Sequence, residues 1–445
     1  MNKTDILQLQ EPIIDGGIRS VNFFNGRLLT GKDFSREQNA RREADWRMGL
    51  ALGDGVSFGL QIEANEQRSK ETQLPVVTIK KGLAFNREGQ ALRLTNDSQL
   101  ALAQSFEASS VDCLFKNCEK LIGGTYIAGA GVYVLTIAPA ETSEGRAATN
   151  GLDPSNVRCN TDAMVEAVQF RLLKINRPLY NLDESISSFR NELAYRCFGA
   201  GIQADWFENL LGAAPRQDDL LEALRPSDLL ETLRKNMLSP LEVPLGLLFF
   251  TGSAKLEFID LWAVRRPLSR TSEPFASLVD ERRRAVGQAM FQQFQTQIAE
   301  LSVKADFATV TAQTHFRYLP PVGIIPVAEE TDLSDAQATK FFTGMTYRSP
   351  VFINAARVES LIRESLSYPP IDTQTIDPKT NEKDPRKGEM LWLYRVRENR
   401  MAIDFAGSAP VPRSYLIFAS GHLPYIGDAQ FNLARWNYSN YAQAR

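Results

Sequence analysis

The most constraining feature of this sequence is a pair of apolar segments, residues 243–250 and 255–264, which flank Thr251-Gly252-Ser253. The central residues are typical of a tight turn, and each flanking segment has the length of a strand. Strands this apolar cannot leave both faces in water. The sequence therefore predicts a β-hairpin that lies within a core.

Chain length sets how many such cores there are. The chain has 445 residues, and a single hydrophobic core stops growing near roughly 250–300 residues, so we expect at least two domains. The pattern of elements predicts an α+β fold. We place a β-rich N-terminal domain with one early helix at 1–178, a helical region with the core hairpin at 179–302, and a mixed C-terminal domain at 303–445.

The early helix is indicated between residues 31 and 52, a stretch without proline that ends before Gly53-Asp54-Gly55. Thr30 and Asp33 have the spacing of a capping box, in which each side chain bonds the backbone of the other residue. Most residues of the stretch are polar. The sequence therefore predicts a capped helix with a largely polar surface.

Short strands are indicated where apolar and polar residues alternate. The strands predicted on this basis are 56–62, 76–79, 91–94, 123–137, 168–175, 390–396 and 415–419. Residues 316–323 are also predicted to be extended, because Pro320 and Pro321 restrict the backbone. The charged segment 377–388 is predicted to be an exposed loop.

Helical periodicity dominates three other regions. Residues 183–237 place leucines among acids and arginines, and Pro226 should divide them into separate helices. The segment 274–301 is predicted to form an amphipathic helix packed on another element, and 358–366 a shorter helix. The apolar stripe of the amphipathic helix consists of Val286, Met290, Phe294 and Ile298.

The charge balance argues against one large class of partner. Fifty basic residues against 53 acidic ones give a formal net charge of −3, too balanced for the attraction on which nucleic-acid binding depends. The first residues lack the apolar core of a secretory signal, so we expect cytoplasmic synthesis. No apolar run approaches the roughly 18 residues that cross a bilayer, so we expect no direct membrane insertion.

One short motif is similar to a catalytic one. Gly55-Val56-Ser57-Phe58-Gly59 matches the nucleophile elbow of hydrolases, which requires a strand before the serine and a helix after it. Here the predicted order is reversed, and the chain has only two histidines, His315 and His422. We interpret the motif as a helix end followed by a strand, assign no catalytic residue, and keep a hydrolase as a minor alternative.

The four cysteines leave two alternatives to free thiols. Cys113 and Cys118 could join Cys159 and Cys197 in a tetrahedral zinc site, or they could form a disulfide if the protein leaves the cytosol. The spacing suits paired zinc ligands poorly. Reduced thiols are therefore the default, and we expect no metal ion and no other cofactor.

The C-terminal stretch differs from the rest of the sequence, because aromatic residues are interleaved with arginine and asparagine. Aromatic side chains and arginine are enriched at protein contacts, since they bury a large area at low entropic cost. Packing on the preceding strand would explain the same residues. The candidate interface residues are Tyr425, Phe431, Arg435, Trp436, Tyr438 and Tyr441.

A set of short segments, each present once, follows in a definite order along the chain. They are NFFNGRLL at 22–29, DF at 33–34, EQ at 37–38, GVSFGL at 55–60, VPL at 243–245, FIDLWAVRR at 258–266, FRYLPP at 316–321, YRVREN at 394–399 and ARWNYS at 434–439. In content and order this set resembles a family of large accessory or baseplate-associated proteins encoded with bacterial contractile injection systems, which are phage-tail-like particles. One departure is Asn39-Ala40, where that family more often has an aromatic residue.

The resemblance implies a non-enzymatic structural subunit. Its expected position is an accessory layer at the baseplate, or a cage-like or crown-like layer around it, in several symmetry-related copies. The implied partners are other baseplate, sheath and tube proteins and further copies of the chain. Such a particle is either released by lysis or held at an internal membrane by other components. The alternative is that the β-rich N-terminal part is a glycan- or receptor-binding module of the same particle.

Overall fold

The fold belongs to the α+β class, as predicted, with helices and several small sheets along the chain. The computed structural model describes residues 14–72, 74–106, 124–127, 129–148, 159–180, 182–199, 229–252, 255–269, 281–304, 309–326, 340–374, 390–396, 415–421 and 423. Of the helices within these ranges, none combines the length and apolar character that a membrane crossing requires.

Eight helices lie within the described ranges. They are α1 (Gly31–Leu52), α2 (Glu66–Thr72), α3 (Arg177–Tyr180), α4 (Phe189–Cys197), α5 (Leu229–Asn236), α6 (Glu281–Lys304), α7 (Ala312–His315) and α8 (Val358–Ser365). The early capped helix is confirmed as α1, the amphipathic helix as α6 and the shorter helix as α8. Pro226 and the predicted loop 377–388 lie outside the described residues.

The described strands number eighteen. They are β1 (Gly55–Gly59), β2 (Ile62–Ala64), β3 (Val76–Ile79), β4 (Gly82–Phe85), β5 (Ala91–Leu94), β6 (Ser98–Ala101), β7 (Ala103–Phe106), β8 (Gly124–Ile127), β9 (Gly131–Ala148), β10 (Cys159–Ile175), β11 (Val243–Gly252), β12 (Lys255–Asp260), β13 (Tyr318–Leu319), β14 (Val322–Pro326), β15 (Thr346–Ile353), β16 (Ile371–Asp372), β17 (Met390–Val396) and β18 (Tyr415–Ser420). The predicted strands 76–79, 91–94 and 390–396 are confirmed with the same bounds.

Small antiparallel sheets form the N-terminal part, in the orders β1-β4-β5, β2-β3-β6 and β7-β8. The predicted strand 56–62 is divided in two, because Gly59 and Leu60 have φ of 66° and 56° and turn the chain. Arg265 stabilises this turn by donating to both carbonyl oxygens, at 3.0 Å for Leu60. Burial of this guanidinium lowers the pKa of Arg265 to about 10.

The central sheet contains the predicted core hairpin, which is confirmed as β11 paired with β12. The strand order is β10-β9-β11-β12, with every pair antiparallel. Alternate residues of β11 face opposite sides: Leu247 and Phe249 pack with the helices, whereas Leu248 and Phe250 pack with the N-terminal sheets. Both faces are covered, which explains why the hairpin is almost continuously apolar.

The C-terminal part is built on a four-stranded sheet in the order β14-β18-β17-β15, in which only the β15–β17 pair is parallel. Leu393 and Phe418 lie in the cluster on one face, while Tyr394 and Ile417 lie in the cluster on the other. Helix α8 covers the second face through Leu361. This sheet is therefore also buried on both sides.

Helix α6 connects the central and C-terminal cores. Its N-terminal half places Ala289 and Met290 against the central sheet, and its C-terminal half places Phe294 and Ile298 in the C-terminal core. The predicted stripe is thus buried, but against two different cores. One helix with two partners limits how far the two cores can move relative to each other.

A buried ionic cluster reinforces this junction. Arg190 of α4 contacts Asp260 Oδ2 through Nε at 3.1 Å and binds Glu300 of α6 through Nη1 at 2.5 Å. Gln293 Nε2 donates to the same Asp260 oxygen at 3.0 Å. Burial alone would lower the pKa of Arg190, but the two carboxylates raise it above its usual value. The charge is therefore retained inside the protein.

Candidate interaction surface

The segment 14–30, here called the N-terminal arm, runs antiparallel along α1. Arg47 Nη2 donates to the carbonyl oxygen of Gly16 at 2.6 Å near the C-terminal end of the helix. The backbone N–H of Val21 donates to Glu37 Oε2 at 3.3 Å near its middle. These polar contacts order the arm, while most of its side chains stay exposed.

The start of α1 is fixed by the capping box. Thr30 Oγ1 accepts from the backbone N–H of Asp33, and Asp33 Oδ2 accepts from the backbone N–H of Thr30 at 2.9 Å. Arg27 Nη2 adds an ion pair to Asp33 Oδ1 at 2.6 Å. Hydrogen bonds from the Thr30 side chain and backbone, followed by that from Arg27, lower the pKa of Asp33 to about 2. The helix start is therefore held by local polar contacts.

The exposed apolar side chains are concentrated on this part of the protein. Among the described residues, eleven of the seventeen exposed large apolar side chains lie between residues 14 and 58. Leu28 is 90% exposed and Met48 is 63% exposed. We call this set the arm–helix surface: Ile14, Phe23, Phe24, Leu28, Leu29, Phe34, Trp46, Met48, Leu50, Leu52 and Phe58. Large exposed apolar patches on a folded protein mark contact sites.

Helix α1 makes its closest contact with the body of the protein at Gly49. Its buried residues are only Ala40 and Gly49. A Cβ atom on Gly49 would lie 1.9 Å from the carbonyl oxygen of Gly89, in the turn between β4 and β5. Glycine therefore lets the two backbones touch, and the rest of α1 stays available to solvent.

An open groove of about 490 Å³ lies between the arm and α1. Three of its lining side chains are the exposed cations Arg19, Lys32 and Arg36, and Glu43 is an acidic one. Within the described ranges, none of these three cations forms an ion pair. The groove is therefore positively charged, and it lies between the arm and the helix that carry most of the exposed apolar residues.

A second exposed feature is the outer part of the β9–β10 hairpin. Pairing is regular from Ile175↔Val132 out to Cys159↔Ala148, but burial ends near Ala138. We call residues 139–148 and 159–168 the β-ribbon. At about 3.3 Å per residue, it extends roughly 30 Å beyond the core.

A cluster of charges is buried where α5 meets the N-terminal sheets. Arg87 joins Asp54 and Glu231, and Arg234 Nη2 lies 3.6 Å from Asp54 Oδ2, beside a cavity of about 40 Å³. Burial would lower the pKa of Arg87, but Glu231 and Asp54 raise it. A nearby arginine, Arg266, donates to backbone carbonyl oxygens, including that of Cys197 at 2.9 Å. These arginines connect α5 to the N-terminal sheets, so we interpret the cluster as structural.

The residues weighed for chemistry are placed apart. Ser57 is exposed on β1, beside Val56 of the N-terminal core. His315 ends α7 beside the C-terminal core, with its Nδ1 2.7 Å from Thr314 Oγ1. Cys197 is buried in α4, Cys159 begins β10, and Cys113, Cys118 and His422 lie outside the described residues. The described part of the chain has no cluster of three or more His, Cys, Asp or Glu that could hold a metal ion.

The sequence-predicted interface cannot be compared with this surface. Tyr425, Phe431, Arg435, Trp436, Tyr438 and Tyr441 all lie outside the described residues. The arm–helix surface was missed because α1 is mostly polar in composition. A signal was present, since five of the seven residues from 46 to 52 are apolar and the helix ends directly after them. The β-ribbon was missed because its outer half has little apolar alternation.

Comparison with known proteins gives no family for this chain. No protein-family model matches the sequence, and no curated protein matches it. Assignment of a function therefore depends on the surfaces of the molecule and on the short resembling segments.

Proposed function

We propose that this chain is a non-enzymatic structural subunit of a contractile injection system, an accessory component of the baseplate or of a cage-like or crown-like layer around it. The observation that carries the proposal is the arm–helix surface. A 22-residue helix with only two buried residues gains little stability from packing in the free protein. It is well suited to a subunit that buries the helix on assembly.

The position of the resembling segments supports the proposal. The segment 22–29 forms much of the arm and contains four of the exposed apolar residues. The segments 55–60 and 258–266 meet inside the protein, where Arg265 bonds the carbonyl oxygens of Gly59 and Leu60. One set of segments thus presents the surface and another builds its support. This division is typical of a structural subunit.

The first test is recovery with the particle. Particles are sedimented from the native cell, and mass spectrometry measures the ratio of this chain to sheath and tube proteins. We expect a fixed stoichiometric ratio. A chain that stays in the supernatant while intact particles sediment would refute the proposal and would favour a free binding protein or an enzyme.

The second test asks whether the arm–helix surface makes the contact. The variant Leu28→Ser/Met48→Gln/Leu52→Ser removes three of its exposed apolar side chains. The matched control Leu241→Ser/Val303→Ser/Met390→Gln removes three exposed apolar side chains elsewhere. We expect the first variant to be lost from sedimented particles and the control to be retained. Equal recovery of both variants would exclude this surface as the assembly contact.

A further inference from the structure

The β-ribbon has one acidic face. Side chains alternate between the faces of a strand, and Glu141 is paired directly with Glu166. Asp162, Met164 and Glu166 lie two residues apart on β10, so they share that face. It carries three carboxylates, no cation of the ribbon itself, and a Met164 side chain that is 59% exposed. Arg42 of α1 lies 3.6 Å from Glu141 at the base of this face. Like charges directly opposite each other destabilise a strand pair unless a cation compensates them.

The groove between the arm and α1 has the complementary character. Arg19, Lys32 and Arg36 line it and form no ion pair within the described residues. The arm and α1, between which it lies, carry most of the exposed apolar side chains of the described residues. It is open and holds about 490 Å³. Its chemistry therefore suits an extended acidic segment with an apolar side chain among the carboxylates.

We propose that the acidic face of the β-ribbon of one copy docks in the arm–helix groove of a second copy of this chain. The inference rests on the proposed function and deepens it, because it names the contact between neighbouring copies. The outer carboxylates, Asp162 and Glu166, pair with the groove cations of the second copy, and Met164 packs on apolar side chains of its arm and α1. Charge complementarity of this kind fixes orientation and speeds association.

The contact within one chain shows why the occupant comes from another copy. Arg42 of α1 lies 3.6 Å from Glu141 at the base of the ribbon of the same chain. This pair holds the base of the ribbon beside α1 of its own chain. Beyond it, Asp162 and Glu166 form no ion pair with the groove cations of the same chain within the described residues, so the outer carboxylates are left for another copy.

The geometry of the pair determines the type of assembly. Ribbon and groove are different surfaces of one chain, so the contact is heterologous and generates a ring when its rotation closes. A stable interface buries roughly 800 Å² on each partner. The ribbon tip alone is too narrow for this area, so arm residues such as Phe23, Phe24 and Leu28 must also be covered.

The test uses two charge-reversed variants of the full chain. The groove variant is Lys32→Glu/Arg36→Glu, and the ribbon variant is Asp162→Lys/Glu166→Lys. All four side chains are exposed, so circular dichroism and thermal melting should match the wild type. Analytical ultracentrifugation then measures self-association at low salt. We expect the wild type to associate and each variant alone to have a dissociation constant higher by about tenfold or more.

Mixing the two variants gives the decisive result. The acidic groove of the first variant complements the basic ribbon of the second, and the two unchanged surfaces complement each other as well. We expect the equimolar mixture to regain association close to that of the wild type. The control variant Lys235→Glu/Lys255→Glu, which reverses two cations remote from both surfaces, should associate as the wild type does.

Three results would overturn the inference: a wild-type chain that stays monomeric, single variants that associate normally, or a mixture that stays dissociated. Purified protein is sufficient for these measurements, so they do not depend on particles. Stoichiometric recovery in particles together with a monomeric purified chain would reject the ribbon contact and keep the proposed function. Self-association of the purified chain without recovery in particles would keep the ribbon contact and reject the proposed function.

Discussion

Helices α1 and α6 have nearly the same length, 22 and 24 residues, but the protein uses them in opposite ways. Helix α6 buries a full stripe and joins two cores, whereas α1 touches the body of the protein mainly at Gly49. An isolated helix of this length is only marginally stable in water. Folding therefore buries the apolar stripe of α6, whereas we propose that a partner covers α1.

The two helices also differ in how they are held. Polar contacts at α6 are buried and connect distant parts of the chain, as in the Arg190–Asp260–Glu300 cluster. Polar contacts at α1 are local and mostly exposed, as in the capping box and the Arg42–Glu141 pair. Exposed ion pairs contribute little to stability, whereas breaking a buried one is costly. The comparison can therefore be tested by matched substitutions.

The largest contrast is expected for one phenylalanine on each helix. Phe294 of α6 is fully buried, with ring centroids 5.1 Å from Phe316 and 5.3 Å from Phe418. Phe294→Ala should lower the free energy of unfolding by about 3–5 kcal/mol, because it leaves a cavity. Phe34→Ala, on α1, should change it by less than about 0.5 kcal/mol. Urea denaturation measures both values, and equal losses would contradict the comparison.

The next contrast concerns two arginines, one in the buried ion cluster at α6 and one in the exposed ion pair at α1. Arg190→Ala leaves Asp260, which is 1% exposed, without its cation, so we expect a loss of about 3 kcal/mol or more. Arg42→Ala removes an exposed pair and should cost less than about 1 kcal/mol. Thermal unfolding of the two variants provides the measurement. A small loss of stability in Arg190→Ala would mean that the buried cluster does not hold α4 and α6 together.

A substitution where α1 contacts the body should have a smaller effect, and the sign of the stability change is informative. Alanine is favoured over glycine in an exposed helix by about 1 kcal/mol. At Gly49, however, a Cβ would meet the Gly89 carbonyl oxygen at 1.9 Å, so Gly49→Ala should destabilise by about 1–3 kcal/mol. Gly31→Ala, where nothing lies within 4 Å, is the matched control. A stabilised Gly49→Ala would show that α1 is not anchored there.

The smallest effect concerns the helix start. Thr30→Ala should weaken α1 by about 1 kcal/mol, because the side-chain cap is lost, while Thr30→Ser should retain most of it. Hydrogen exchange of the first turn of α1 measures the change locally. If exchange there were unchanged in Thr30→Ala, the arm rather than the cap would be fixing the helix start.

Acid should have the same local effect. The pKa of Asp33 is lowered from 3.8 to about 2 in the folded chain, so its contribution is fully present above pH 3.8 and is lost as pH falls toward 2. We expect the first turn of α1 to fray in that window. Asp33→Asn should cause similar fraying at neutral pH. Greater fraying in acid than in Asp33→Asn would mean that other carboxylates contribute. Amide exchange between pH 4 and pH 2 would follow it.

Much of the fold could be predicted because its signals are local or follow from burial. The capping box predicted the start of α1, and Gly53-Asp54-Gly55 predicted its end. The stripe of α6 and the apolar hairpin of β11 and β12 could be predicted because burial in a core requires apolar residues. The turn at Gly59 and Leu60 could not be predicted, because it depends on Arg265, more than 200 residues away.

The candidate surface was harder to predict, because exposure leaves no periodic pattern. The four-residue spacing of its stripe marked Met290 as a packed residue, but no comparable pattern marked Met48 as exposed. The outer half of β9 and β10 is likewise patterned by hydrogen bonding between two strands and not by a core. An exposed surface has no core to impose a pattern on it, so the sequence gives weak signals for it.

The most direct test is oxidative footprinting of Met48 and Met290 in the free chain and in sedimented particles. In the free chain, Met48 is 63% exposed and Met290 is 5% exposed, so hydroxyl radicals should modify the first far more. The account predicts that Met48 becomes protected to nearly the level of Met290 on assembly, while Met290 does not change. Equal modification of Met48 in both states would contradict the claim that α1 is an assembly surface.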